Sequence, residues 1–147
     1  MSLDAVYSSN NTLNDLSTAL DELQVATQGY LNTKTSDALE QYYIAEQEYQ
    51  SLLENFDDNQ DENEGRVLER NIKRMSINYI NLTNQAVESK RGGNVEKYKN
   101  FYESATRLYG FIDSNITSLN NQLFVNNSNS YTNMMSTLKT MEEARAI

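Results

Sequence analysis

The chain has 147 residues, of which 38% are hydrophobic and 22% are charged, and its net charge is −9. It contains no Cys, no His and no Pro, and only five Gly. The missing Cys and His exclude disulfides, thiolate metal sites and catalysis by a His base, and the acidic surface disfavours nucleic-acid binding, which depends on neutralising phosphates. The missing Pro favours long helices over a turn-rich β fold. We expect one all-α domain over residues 1–147, with no catalytic site, no metal and no cofactor.

The first predicted helix covers about residues 4–31. Its apolar positions alternate three and four residues apart, as in a helix-packing seam, and they are Leu13, Leu16, Leu20, Leu23, Thr27 and Tyr30. The polar stretch 32–37 interrupts this seam, and Thr35 or Ser36 followed by Asp37 is typical of a helix start. A turn is therefore predicted here, with one continuous helix as the alternative.

The second predicted helix covers about residues 36–57. Its predicted buried face consists of Leu39, Tyr42, Tyr43, Tyr49, Leu52, Leu53 and Phe56. An acidic run from Asp57 to Glu64 follows and ends at Gly65. Read as a calcium loop from Asp57, it has Glu62 where Gly is needed and Leu68 where a bidentate Glu is needed. The run is therefore predicted to be a solvated loop.

The third predicted helix, about residues 64–91, has the most regular seam, formed by Leu68, Ile72, Met75, Tyr79, Leu82 and Ala86. We expect Tyr79 to be a core aromatic residue. Cations and then Gly92 and Gly93 indicate a helix end, and Asn94 is suited to cap the next helix.

The fourth predicted helix covers about residues 94–126, and a further helix about 130–146, because the polar stretch Asn126–Ser130 separates two apolar seams. A single helix through this stretch is the alternative. Short turns make successive helices antiparallel. The sequence therefore predicts an elongated, antiparallel, up-and-down four-helix bundle with a C-terminal helical extension and both termini at one end.

Basic residues are concentrated after the acidic run, at Arg66, Arg70, Lys73 and Arg74. One interpretation is pairing with neighbouring acidic side chains, which contributes about 0–1 kcal/mol per exposed pair. The other is an anion-binding site on a bundle face in a dimer, formed by Arg70 or Arg74, with Arg107 as a further candidate.

Several segments together resemble the helical sensor domains that lie between two membrane spans in Firmicutes-type sensor histidine kinases. The segments that carry the resemblance are Tyr30-Leu31-Asn32-Thr33 with Leu39 and Tyr42, Asn78-Tyr79-Ile80, Ala86 to Arg91 with the Gly-Gly-Asn turn, Tyr98, Phe101, Tyr102, Glu103, and Asn127 to Tyr131. The resemblance implies an extracytoplasmic domain of a membrane protein, with flanking spans and a cytoplasmic kinase module outside this chain.

For function, the resemblance implies a non-catalytic domain that transmits binding by helix displacement. The first and last helices would be the signalling or dimer pair, with Leu13, Leu16 and Leu20 facing Leu119, Leu123 and Met134. Expected partners are a second copy, and a small-molecule ligand or an extracellular solute-binding protein. A stand-alone secreted or adaptor interaction protein is the alternative, and a chemoreceptor ligand-binding bundle has a similar pattern.

Overall fold

The computed structural model describes the backbone of residues 3–56 and 64–146, and the side chains of residues 12–56 and 67–121. The described backbone forms four helices, namely α1 (Leu3–Thr33), α2 (Ser36–Glu54), α3 (Glu64–Arg91) and α4 (Val95–Ala146). No strand occurs within those ranges. The all-α prediction is therefore confirmed, whereas the acidic run after Phe56 lies mostly outside the described residues.

The turn between α1 and α2 forms where the polar stretch predicts it. Lys34 has a positive φ of 52°, and its N–H donates to the carbonyl oxygen of Tyr30 at 2.7 Å, which ends α1. Thr35 then caps α2, because its Oγ1 accepts from the N–H of Ala38 at 3.1 Å. A side-chain acceptor at this position satisfies one of the unpaired N–H groups of the first helical turn.

The turn between α3 and α4 is closed by a left-handed glycine. Gly93 has φ 77°, its N–H donates to the Lys90 carbonyl, and the N–H of Asn94 donates to the Ser89 carbonyl at 2.9 Å. These two bonds form a Schellman motif. Asn94 then caps α4 by accepting from the N–H of Lys97 at 3.1 Å.

Side-chain hydrogen bonds show that α2 and α3 are antiparallel. Along α2 and α3, Tyr42 is level with Thr83, and Tyr49 is level with Ser76, so the pairing runs in opposite directions along the two helices. α1 and α4 are also antiparallel, because Asp21 pairs with Tyr109 and the later Gln24 pairs with the earlier Tyr102. The helices therefore form a four-helix bundle in which α1 neighbours both α2 and α4.

The predicted seam of α1 is the centre of the core. All six of its described positions are buried, from Leu13 to Tyr30. Three tyrosines, Tyr42, Tyr49 and Tyr79, are also fully buried, and we call them the buried tyrosines. The prediction that Tyr79 is a core aromatic residue is confirmed.

One predicted core residue of α2 lies outside the core. Tyr43 is 40% exposed and packs edge-on against the ring of Tyr42, with 5.5 Å between the ring centroids. Adjacent residues of an α-helix point about 100° apart. Since Tyr42 faces the core, Tyr43 has to lie at its margin.

The polar stretch Asn126–Ser130 does not interrupt α4, so the residues predicted as a separate helix at about 130–146 belong to α4. The stretch contains neither Gly nor Pro, and Asn and Ser each cost less than about 1 kcal/mol in a helix interior. At 52 residues against 31 for α1, α4 provides the C-terminal helical extension.

Candidate functional site

A single amide joins three helices in the middle of the bundle. Gln24 of α1 is half-buried, and its Oε1 accepts from the hydroxyl of Tyr79 on α3. Its Nε2 donates to the hydroxyl oxygen of Tyr102 at 3.3 Å and to Oγ1 of Thr106 at 3.1 Å, both on α4. These bonds depend on the positions of all three helices, so sliding α1 along α4 would break them.

A second bond joins α1 to α4 at the exposed edge of their interface. The hydroxyl of Tyr109 donates to Oδ1 of Asp21 at 2.6 Å. This hydrogen bond, together with partial burial and the charge of Asp21, raises the pKa of Tyr109 to about 12. We call the bonds made by Asp21 and Gln24 to α4 the α1–α4 bonds.

Long polar side chains bridge α2 and α3. The hydroxyl of Tyr42 lies 2.9 Å from Oγ1 of Thr83 and donates to Oδ1 of Asn84 at 2.5 Å, and the hydroxyl of Tyr49 lies 2.5 Å from Oγ of Ser76. Burial raises the pKa of both tyrosines above the ordinary value. The backbones of α2 and α3 approach each other closely at few positions, so the tyrosines span the gap.

A carboxylate lies buried beside this bridge. Glu46 is only 8% exposed, and its Oε1 accepts from Nε2 of Gln50 at 2.8 Å. Burial raises the pKa of Glu46, and a hydrogen bond from Asn84 lowers it in part. The predicted buried face of α2 omitted this residue, although Tyr42, Glu46 and Tyr49 share one face at helical spacing.

A groove of about 440 Å³ runs along the outer side of the α2–α3 pair, and we call it the α2–α3 groove. It is lined by Gln50, Leu53 and Glu54 from α2 and by Lys73, Ile77, Ile80 and Asn81 from α3. Its lining combines an aliphatic floor, two amides and one charge of each sign.

The three predicted anion-binding arginines are all exposed, Arg70 and Arg74 on α3 and Arg107 on α4. None of the three lines the α2–α3 groove, where the cation is Lys73. The basic residue at the groove is therefore Lys73, and not Arg70 or Arg74, which the sequence pattern offered as anion-binding candidates. An anion site at the arginines stays a prediction.

The predicted signalling leucines lie inside the bundle. Leu13, Leu16, Leu20 and Leu119 are at most 2% exposed and belong to one hydrophobic cluster. Their side chains pack within one chain, so they do not offer a free surface to a second copy. The side chains of Leu123 and Met134 lie outside the described residues, and the signalling role of α1 and α4 stays a prediction.

The described part of the chain contains no helix long and apolar enough to cross a membrane. No three acidic side chains within that part are grouped so that they could hold a metal ion.

The chain is similar in fold to one chain of a solved structure, the XylFII–LytSN complex. The two share 13% sequence identity with a TM-score of 0.74, and the alignment covers 81% of this chain and 98% of that chain. No protein-family model and no curated protein matches the sequence. At this identity the likeness shows a shared all-helical fold.

Proposed function

We propose that this chain is the non-catalytic, extracytoplasmic signal-sensing domain of a membrane-bound sensor histidine kinase. The observation that carries the proposal is the fold match over 98% of one chain of the XylFII–LytSN complex. The match extends over a whole chain, so it concerns a complete unit of structure. The sequence resemblance to sensor domains supports the same function independently.

The arrangement of α1 and α4 suits such a domain. The two helices are antiparallel neighbours, so the start of α1 and the end of α4 point towards the same end of the bundle, and α4 extends there beyond the start of α1. A domain inserted between two membrane spans needs both of its termini at one end. In the proposed mechanism, binding shifts α1 against α4 by roughly an ångström or two.

The α1–α4 bonds define the resting position in this mechanism. A ligand shifts an equilibrium between two positions only if it binds one of them more tightly. The cue therefore has to interact differently with the two arrangements of these helices. Because the structural neighbour is a complex, we include a solute-binding protein among the proposed partners, beside a small molecule and a second copy of the chain.

The proposal is tested on the full-length parent protein in lipid vesicles, by following transfer of the γ-phosphate of ATP onto the protein. Gln24→Ala with Tyr109→Phe removes the α1–α4 bonds and is expected to change the autophosphorylation rate several-fold. Gln28→Ala is the matched control, because Gln28 is an exposed amide one turn further along α1. A parent protein without membrane spans and kinase activity would refute the proposal and favour a stand-alone interaction protein.

A further inference from the structure

The α2–α3 groove lies between two helices that buried tyrosines bridge. Tyr42 and Tyr49 each reach from α2 to a hydrogen-bond partner on α3. Their rings are buried in the core, and the groove of about 440 Å³ is lined by other residues of the same two helices. Pockets that bind small molecules generally measure about 300–1,000 Å³.

The floor of the groove is aliphatic. Leu53 and Ile80 are 5% and 6% exposed, so their side chains are covered on most sides. Ile77 is 49% exposed and forms a solvent-facing wall of the groove. An apolar ligand group laid against these three side chains would remove its own surface and that of Ile77 from water, which is favourable.

The polar groups of the groove carry both signs of charge at one level of the bundle. Tyr49 is level with Ser76, and the two helices run in opposite directions. Position 53, four residues after Tyr49, is therefore level with position 72, four residues before Ser76. Glu54 and Lys73 both lie within about one residue of that level, on opposite helices. A groove lined by one carboxylate and one ammonium from opposite helices complements a ligand that carries an ammonium and a carboxylate close together.

The amides extend this polar edge. Gln50 is oriented by its hydrogen bond to the buried carboxylate of Glu46, and Asn81 supplies both donors and an acceptor on α3. The groove lining includes no aromatic ring of the kind on which a sugar face stacks. The combination of aliphatic floor and paired charges therefore favours a zwitterion over a sugar.

We propose that the α2–α3 groove binds a free amino acid with an aliphatic side chain. Its ammonium contacts Glu54, its carboxylate contacts Lys73 and Asn81, and its side chain covers Leu53 and Ile80. This site is separate from the α1–α4 bonds. It belongs to the bundle itself, so its existence does not depend on a kinase module in the parent protein.

Titration calorimetry on the purified 147-residue chain tests the proposal, with L-leucine, L-isoleucine and L-valine as probes at up to about 10 mM. Saturable binding of at least one probe is expected. N-acetyl-L-leucine lacks the ammonium, L-leucinamide lacks the carboxylate, and both should bind at least about tenfold more weakly. Absence of saturable binding by all three amino acids, or binding of either blocked form as tight as that of L-leucine, would overturn the proposal.

Three variants locate the binding. Ile77→Trp fills the groove from its exposed wall and should abolish binding, while Lys73→Gln should weaken it at least about tenfold. Arg74→Gln is the matched control, since Arg74 is the adjacent, exposed cation that does not line the groove. Circular dichroism checks that each variant is folded, and Asn81→Ala replaces Ile77→Trp if that variant does not fold. Binding that survives the groove variants, or that Arg74→Gln weakens as much as Lys73→Gln, would contradict the site.

Discussion

Replacing Tyr79 by Ala measures how strongly the centre of the bundle depends on one aromatic ring. Tyr79 is 0% exposed, its ring lies 6.3 Å from that of Tyr49, and its hydroxyl donates to Gln24. Truncating a buried aromatic side chain to Ala costs about 3–5 kcal/mol. At roughly 2–4 °C per kcal/mol for a domain of this size, Tyr79→Ala should lower the melting temperature by about 6–20 °C.

Two further variants separate the ring from the hydroxyl and the core from the surface. Tyr79→Phe keeps the ring and removes only the hydrogen bond to Gln24, so it should cost about 0.5–1.5 kcal/mol. Tyr43→Ala truncates a tyrosine that is 40% exposed and should cost much less than Tyr79→Ala. Urea unfolding followed by far-ultraviolet circular dichroism provides the free energies, provided that the m-values agree. Equal losses for Tyr79→Ala and Tyr43→Ala would refute the core assignment.

Three other predictions concern ionisation and backbone conformation. Burial raises the pKa of each of the buried tyrosines, so these tyrosines ionise at lower pH in the unfolded chain than in the folded one. The free energy of unfolding should therefore hold below about pH 10 and fall above it. An unchanged urea midpoint up to about pH 12 would contradict this. Burial also raises the pKa of Glu46, so its contribution is present below the unfolded pKa of about 4.5 and is lost as pH rises through the folded pKa. Glu46→Gln should therefore be at least as stable as the original chain near neutral pH. It should also reduce the change of the urea midpoint with pH in the mildly acidic range. Glu48→Gln, at an exposed position, is the control and should leave that change as it is. Gly93→Ala should destabilise the fold by about 1 kcal/mol, because Gly93 has φ 77°. Gly110→Ala should stabilise it by about 0.5–1 kcal/mol, because Gly110 lies within α4 and nothing lies within 4 Å of the added Cβ. Melting temperatures that shift in the same direction for both variants would contradict the turn geometry.

The parts of the fold that followed from the sequence are those set by local rules. The seam of α1 was predictable because large apolar residues repeat at helical spacing and all of them face the core. Both turns were predictable from single residues. The side chains of Thr35 and Asn94 cap the helices that follow them, and Gly93 lacks a side chain, which suits the positive φ after α3. In each case, neighbouring residues along the chain carry the information.

The parts that did not follow depend on how helices face one another. Glu46 is charged, and its burial becomes understandable only with Asn84 and Gln50 beside it. The α2–α3 groove similarly requires the register between two helices, which brings Lys73 to the groove and leaves Arg74 exposed. A single sequence contains the helical period of each element and does not contain their relative rotation.

In the proposed mechanism signalling moves α1 against α4, and a reversible cross-link between the two helices prevents that movement. The chain has no Cys, so Gln24→Cys with Thr106→Cys introduces one thiol pair at positions whose side chains are hydrogen-bonded across the two helices. A short, cleavable bifunctional thiol reagent joins them in the full-length parent protein in vesicles, after any Cys outside this chain has been replaced by Ser. Glu103→Cys with Arg107→Cys, both exposed and one turn apart on α4, is the control within one helix.

Joining α1 to α4 is expected to change the autophosphorylation rate several-fold, and cleaving the link should restore the original rate. The control pair should have no effect. An autophosphorylation rate that stays the same with α1 and α4 covalently joined would rule out movement between the two helices as the signal.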